Sequence, residues 1–218
     1  MRKTVVFDLD GTLLNTLDDL TDAVNLVLEF YGYEEHTKEE IRSFVGNGVA
    51  KLMERALPEG KENLEYEAVL EDFKNFYTEN CDNKTAPYDG ILTVLQRLRD
   101  AGFRTAIVSN KNEEAVKKLA DEYFKDTVET ATGVGKDGKK KPDPKMVYRI
   151  REELGVSLED MVYVGDSEVD YETARAAGIP VVLVTWGFAD AKNLQSLDGC
   201  SIVDTPEELL EVLVKDME

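Results

Sequence analysis

The sequence contains little histidine, cysteine or positive charge. His36 is its only histidine, and no G-x-S-x-G sequence accompanies it. This disfavours a Ser-His-Asp hydrolase, and we expect His36 to lie at the surface. Cys81 and Cys200 are the only cysteines. Two isolated cysteines indicate free thiols in a reducing cytoplasm rather than a disulfide framework.

Acidic residues outnumber basic ones, with 45 Asp and Glu against 26 Lys and Arg and a net charge of −19. This charge opposes binding to nucleic acid or to an anionic membrane surface, so neither is expected as a partner. It also repels phosphorylated compounds at long range, so any phosphate site must be locally cationic. No apolar run approaches the roughly 18 residues that span a bilayer, and no signal peptide is evident. We therefore expect a cytoplasmic protein.

A short apolar run leads into two acids, Asp8 and Asp10, and the predicted strand spans residues 4–9. The run is rich in β-branched residues and predicts a buried strand, on which the two carboxylates lie on one side, roughly 7 Å apart. Two acids at the end of an apolar strand are costly unless a cation is present, which favours a divalent ion. Gly11 permits a tight turn after them, and Thr12 offers a hydroxyl and an N–H to an anion.

The 218 residues suit either one large domain or a domain with a smaller one. Residues 15–84 show helical periodicity throughout, which is too long for a loop and indicates an inserted helical subdomain, with one helix at 61–80. Strands and helices alternate afterwards. We therefore predict an α/β fold, a doubly wound and mostly parallel sheet built from residues 1–14 and 85–218.

Further polar residues stand at the predicted strand ends, where such sheets bind ligands. They are Ser109 and Asn110 after the second strand, Lys141 before a Pro-Asp-Pro sequence, and Asp166 and Asp170 after a later strand. Each has an ordinary explanation as a helix cap or a solvated loop. Those explanations do not account for the occurrence of all of these groups at strand ends.

Trp186 and Phe188 follow the predicted strand at residues 180–184. The sequence leaves two interpretations open, a loop packed at the edge of the site or side chains that fill the core.

The stretch Asp8-Leu9-Asp10-Gly11-Thr12 and the three later clusters together resemble the four motifs of the haloacid dehalogenase-like phosphatases. The resemblance covers the whole chain. It implies that Asp8 is the nucleophile and Asp10 the general acid and base, and that Ser109, Asn110 and Lys141 bind the phosphoryl group.

The same resemblance implies a Mg²⁺ site. Asp8, the backbone carbonyl of Asp10 and Asp166 would be its ligands, which are hard oxygens of the kind Mg²⁺ prefers. Asp170 and Thr12 would not bind the ion directly but would support its ligands. Asp170 would orient bound water or Lys141.

The helical insert resembles the cap of this family, which closes over the site and contacts the substrate beyond its phosphate. Residues 44–48 resemble the cap loop of phosphoglycolate phosphatase-like members, so Gly46, Asn47 and Arg42 are candidate specificity residues. A plain helix–helix turn is the alternative interpretation.

The resemblance therefore implies a Mg²⁺-dependent phosphatase that hydrolyses a small phosphorylated metabolite through an aspartyl-phosphate, with phosphoglycolate as the first candidate. A phosphosugar mutase of the β-phosphoglucomutase type shares these motifs and is the nearest alternative. A haloacid dehalogenase and a non-catalytic binding module on the same scaffold are further alternatives. We expect a monomer or a weak homodimer.

Overall fold

A computed structural model describes residues 3–46 and 48–215 of the chain. The chain forms two compact units. The core unit comprises the residues up to Leu14 and from Pro87 onward, and the helical unit comprises Asn15–Ala86.

The change from the helical unit back to the core unit falls two residues later than the predicted boundary at 84/85. The buried carboxylate of Asp19 explains why Thr85 belongs to the helical unit. It accepts the backbone N–H groups of Lys84 and Thr85 at 2.8–3.0 Å, and these bonds hold both residues in the helical unit.

The described residues form strands β1 (Thr4–Phe7), β2 (Leu14–Asn15), β3 (Ala86–Pro87), β4 (Arg104–Asn112), β5 (Thr130–Val134), β6 (Met161–Gly165), β7 (Val181–Val184) and β8 (Ser201–Val203). Strands β2 and β3 form a separate two-stranded sheet. The other six form one sheet in the order β5-β4-β1-β6-β7-β8, and every strand pair in it is parallel. The predicted fold class is confirmed.

The α-helices are α1 (Leu17–Phe30), α2 (Lys38–Phe44), α3 (Val49–Ala56), α4 (Tyr66–Asn80), α5 (Ile91–Asp100), α6 (Glu113–Phe124), α7 (Lys145–Leu154), α8 (Glu168–Ala177), α9 (Ala191–Leu194) and α10 (Pro206–Lys215). In the core unit, the apolar faces of α7 and α8 pack on Val6 and Tyr163 of the central strands. All four residues of β1 are buried, which is the pattern of a parallel sheet covered on both faces.

Helices α1 to α4 form the helical unit. The predicted helix at 61–80 is wrong over its first turns. Gly60–Glu62 is a short 3-10 turn, and α4 begins at Tyr66. Leu64, which lies within the predicted helix, precedes α4 and is fully exposed. His36, expected at the surface, is half-buried, and its Nε2 lies 2.8 Å from the carbonyl oxygen of Ala56.

Strand β4 continues through Asn112, beyond the predicted strand end at Val108. Its pairing with β5 shifts along this extension. The step from Val108 to Asn112 on β4 faces only the shorter step from Thr132 to Val134 on β5. Such a bulge kinks a strand and changes the direction of its side chains.

No helix in the described part of the chain combines the length and apolarity that crossing a membrane requires.

Candidate active site

Strand β1 lies between β4 and β6, so the carboxyl ends of these three strands are neighbours. Asp8 directly follows β1, and its N–H donates to the carbonyl of Val164 at 2.8 Å. The chain then turns sharply, since the N–H groups of Leu13 and Leu14 both donate to the carbonyl of Leu9. Gly11 has a φ of +90° in this turn, a conformation that favours glycine.

Lys141 is the central cation of the site. Its Nζ lies 2.7 Å from Asp8 Oδ1 and 2.7 Å from Asp170 Oδ1. All three side chains are buried. The predicted convergence of Lys141 on Asp8 is therefore present, and Asp170 contacts the same ammonium group.

Asn110 holds the backbone of Lys141 from both sides. Its Oδ1 accepts the N–H of Lys141 at 2.7 Å, and its Nδ2 donates to the Lys141 carbonyl at 3.3 Å. These bonds fix the point from which the lysine side chain starts. The direct phosphate contact predicted for Asn110 stays a prediction.

Asp170 is tied to the beginning of α8 by its second oxygen. Oδ2 accepts the N–H groups of Asp166 and Ser167 at 3.2 and 3.1 Å and the Ser167 hydroxyl at 2.6 Å. Ser167 caps the helix in return, so the two residues form a capping box. The ordinary helix-cap explanation therefore holds for Ser167, while Asp170 caps the helix and also contacts the Lys141 ammonium group.

Asp166 is held by Thr12, which follows Asp10 by two residues, and by the loop after β7. Its Oδ1 accepts the hydroxyl of Thr12 at 3.2 Å, and its Oδ2 accepts the N–H of Phe188 at 2.7 Å. A Cβ at Gly187 would lie 2.3 Å from this carboxylate, and one at Gly11 would lie 2.4 Å from it. Only glycine fits at either position without displacing Asp166.

The loop after β7 thus belongs to the edge of the site. The indole N–H of Trp186 donates to the carbonyl of Thr12 at 3.1 Å. This contact decides between the two interpretations left open for Trp186. The contribution of Phe188 is its backbone N–H, which no side-chain pattern in a sequence can reveal.

Asp10 is held by two donors from the extended part of β4. Ser109 Oγ donates to Asp10 Oδ2 at 3.2 Å, and Lys111 Nζ lies 2.8 Å from Asp10 Oδ1. Lys111 is buried, and the sequence analysis missed it. A lysine two residues after Ser109 carries a signal only if the strand is known to continue that far.

Burial of the acids changes their proton affinity. Burial, with Asp170 as the next cause, raises the pKa of Asp8 well above its ordinary value, although Lys141 opposes the rise. Burial and then Asp170 raise the pKa of Asp166 to about 7, against the opposing Phe188 N–H. Burial alone would lower the pKa of Lys141, but Asp170 and Asp8 raise it, so Lys141 is charged.

The donor set of the site fits a hard divalent cation. Buried carboxylate oxygens of Asp8, Asp166 and Asp170 all lie within 4.8 Å of one another. Raised acid pKa values are the expected signature of carboxylates gathered without enough positive charge. Asp170 already accepts four hydrogen bonds, one of them from the Lys141 ammonium group, whereas Asp166 accepts two from neutral donors. Asp8 and Asp166 are therefore the carboxylates better placed as ligands.

The three candidate specificity residues belong to the helical unit. Arg42 is an exposed residue of α2. Gly46 has a φ of +123°, and a Cβ on it would meet nothing within 4 Å. Asn47 lies outside the described residues.

Comparison with known proteins gives a consistent result. The model of the haloacid dehalogenase-like hydrolase family matches residues 5–184. The phosphoglycolate phosphatase of Aquifex aeolicus is 36% identical over 216 residues, which cover 97% of this chain and 96% of that protein. The phosphoglycolate phosphatase of Mesorhizobium japonicum is 36% identical over 207 residues, covering 93% and 90%.

A solved structure shows the same fold at similar identity. The crystal structure of a candidate phosphoglycolate phosphatase from Lactobacillus delbrueckii subsp. bulgaricus superimposes with a TM-score of 0.91 at 38% identity. The match covers 97% of this chain and 98% of that one.

Proposed function

Because the chain belongs to the haloacid dehalogenase-like hydrolase family and is a phosphatase that acts on phosphoric monoesters, we propose that it works through an aspartyl-phosphate on Asp8 with the help of Mg²⁺. The predicted family and enzyme class are confirmed. The observation that carries the proposal is that Asp8 and Asp166 follow the adjacent strands β1 and β6, and that Lys141, from the loop after β5, contacts Asp8.

In the first step, an oxygen of Asp8 attacks phosphorus in line with the leaving group. A bond forms between this oxygen and phosphorus while the bond from phosphorus to the ester oxygen breaks. Asp8 is suited to the attack because its backbone is fixed by Val164 and its Oδ1 is held by Lys141.

Asp10 is the proposed general acid and general base. It gives a proton to the departing alkoxide, and in the second step it takes one from the water that hydrolyses the aspartyl-phosphate. Its position two residues after Asp8, with one oxygen hydrogen-bonded to Ser109 and the other 2.8 Å from Lys111 Nζ, supports this role.

Lys141 and Ser109 are the proposed binders of the phosphoryl oxygens. A buried ammonium group stabilises negative charge far better than an exposed one, because little water screens it. Because the chain as a whole is negatively charged, a phosphate site needs a local cation, and Lys141 would supply it.

Asp8, Asp166 and the Asp10 carbonyl would hold the Mg²⁺. When bound, the ion would supply positive charge that offsets the gathered carboxylates and the phosphoryl oxygens. Thr12 and the Phe188 N–H keep Asp166 in place for this purpose.

Phosphoglycolate is the proposed substrate. The support is that relatives at 36% identity over almost the whole chain are phosphoglycolate phosphatases. Arg42, Gly46 and Asn47 remain the proposed residues for the part of the substrate beyond the phosphate. The cytoplasm and a monomer or weak homodimer remain the proposed location and assembly, and the free thiols of Cys81 and Cys200 agree with that compartment.

The test is phosphate release from phosphoglycolate, a sugar phosphate and a nucleotide, each with Mg²⁺ and with a chelator. We expect release from phosphoglycolate that depends on Mg²⁺ and is lost in Asp8→Asn but kept in the exposed control Asp121→Asn. Isomerised sugar phosphate without phosphate release would indicate the mutase instead. Turnover of a haloacid without Mg²⁺ would indicate the dehalogenase, and no turnover of any substrate would indicate the binding module.

A further inference from the structure

Lys111 is a second buried lysine of the core unit, distinct from Lys141. Its ammonium group lies 2.8 Å from Asp10 Oδ1, and its side chain is only 4% exposed. The Ser109 hydroxyl donates to the other oxygen of the same carboxylate at 3.2 Å. Both oxygens of the Asp10 carboxylate are therefore held by residues of β4.

Ser109 and Lys111 both lie on the bulge of β4, between Val108 and Asn112. Lys111 follows Ser109 by two residues, and its N–H donates to Ser109 Oγ at 3.1 Å, which ties the two residues together. Gly133 of β5 permits the close approach of the bulged strand, since a Cβ there would lie 2.6 Å from the Lys111 carbonyl oxygen. Both the bulge and the glycine are local irregularities that serve the placement of Ser109 and Lys111.

Stability alone does not account for a lysine at this position. Burying an ammonium group removes its hydration, and a buried ion pair is often no more stabilising than an apolar pair of similar volume. The ion pair between Lys111 and Asp10 instead fixes the orientation of the Asp10 carboxylate. An acid that must exchange protons with a leaving group and then with water needs such a fixed direction.

We propose that Lys111 is a positioning residue, which together with Ser109 holds the Asp10 carboxylate in the orientation required for proton transfer. The inference rests on the proposed function, because it takes Asp10 as the group that protonates the leaving oxygen. Lys111 itself forms and breaks no covalent bond, and the proton moves only between Asp10, the leaving oxygen and water.

The test uses three esters that separate this role from direct substrate binding. Phosphoglycolate has a poor leaving group and a carboxylate, ethyl phosphate has a poor leaving group and no carboxylate, and 4-nitrophenyl phosphate has a leaving group that departs without a proton. Lys111→Met should lower kcat/KM for the first two about a hundredfold, mainly through kcat. It should change kcat/KM for 4-nitrophenyl phosphate only a few fold.

The other outcomes overturn the inference. A loss confined to phosphoglycolate would mean that Lys111 grips the substrate carboxylate. An equal loss on all three esters would mean that it binds the phosphoryl group. Unchanged kinetics would mean that it has no role, whereas an inactive wild-type chain would overturn the proposed function itself.

Two further variants keep the test decisive. Lys111→Arg retains the charge near Asp10 and should recover at least a tenth of the kcat for ethyl phosphate, while the exposed Lys125→Met should behave as wild type. Should Lys111→Met fail to fold, Lys111→Gln takes its place in the same three assays. If Lys111→Gln also fails to fold, the ion pair serves the fold and the inference is wrong.

Discussion

Lys141 Nζ lies 2.7 Å from Asp8 Oδ1, with both side chains buried and the lysine shared with Asp170. One cation thus partly balances two acids in a place that water hardly reaches. Removing the cation leaves both acids uncompensated, and removing an acid relieves repulsion. The stability of the fold and the chemistry of the site therefore depend on the same few groups.

The first prediction concerns Lys141→Met. Breaking a buried ion pair by deleting one partner costs about 3–5 kcal/mol, because the remaining charge stays buried without its counterion. We expect a loss of this order in the free energy of unfolding, measured by urea denaturation in the presence of a chelator. Lys139→Met, which removes a lysine that is 44% exposed, should change stability little; similar losses in the two variants would contradict this prediction.

The second prediction concerns Asp166→Asn. Asp166 has a pKa of about 7 in the folded protein against an ordinary 3.8, so between these values folding takes up a proton. The contribution of this residue to stability therefore worsens as the pH rises from 3.8 through 7 and is least favourable above 7. The neutral amide avoids this cost. It can accept from the Phe188 N–H and donate to Thr12 Oγ1 in place of the carboxylate.

We therefore expect Asp166→Asn to raise the melting temperature of the Mg²⁺-free protein, by several degrees at pH 8 and by little at pH 4.5. Activity should be lost at the same time. Melting curves at the two pH values measure the effect. A lower melting temperature for the variant at pH 8 would show that the charged Asp166 carboxylate does not destabilise the fold.

The third prediction concerns Mg²⁺. The ion needs the charged carboxylate, and Asp166 holds its proton below a pKa of about 7. Mg²⁺ binding to the wild-type chain should therefore weaken as the pH falls from 8 to 5.5, as measured by isothermal titration calorimetry. Binding that is equally tight at both values would indicate that Asp166 is not a ligand.

The fourth prediction concerns the glycines around Asp166. Gly187→Ala places a methyl group 2.3 Å from the Asp166 carboxylate, whereas Gly135→Ala approaches the flexible ends of Glu113, at 3.3 Å, and Asp137, at 3.8 Å. We expect Gly187→Ala to weaken Mg²⁺ binding at least tenfold and Gly135→Ala to leave it unchanged. Equal affinities in the two variants would show that the loop after β7 adapts without disturbing the site.

Much of the fold was accessible from the sequence because buried strands and their polar ends leave a simple pattern. The apolar run before Asp8 and the later run before Asp166 predicted two strands of the sheet, which the structure confirms as β1 and β6. That the two are neighbours is seen only in the structure. Lys141 was recognisable only through its motif, since the chain brings it back to Asp8 from a loop.

The remaining features depend on contacts that sequence patterns do not encode. Lys111 lies on a bulge, and a shift in strand register has no signature in hydrophobic periodicity. The donor from Phe188 is a backbone group, and Gly187 is required by the volume of Asp166. Leu64 was placed in a helix because periodicity does not reveal where the first turn begins.

The most direct test of the proposed mechanism is to stop a single turnover with acid and find the phosphoryl group on the protein. Wild-type protein is mixed with phosphoglycolate carrying radioactive phosphorus, quenched, digested and mapped by mass spectrometry. We predict one labelled peptide, with the phosphoryl group on Asp8 and no label in Asp8→Asn. Release of phosphate without any labelled protein intermediate, or a label on another residue, would contradict the proposed role of Asp8.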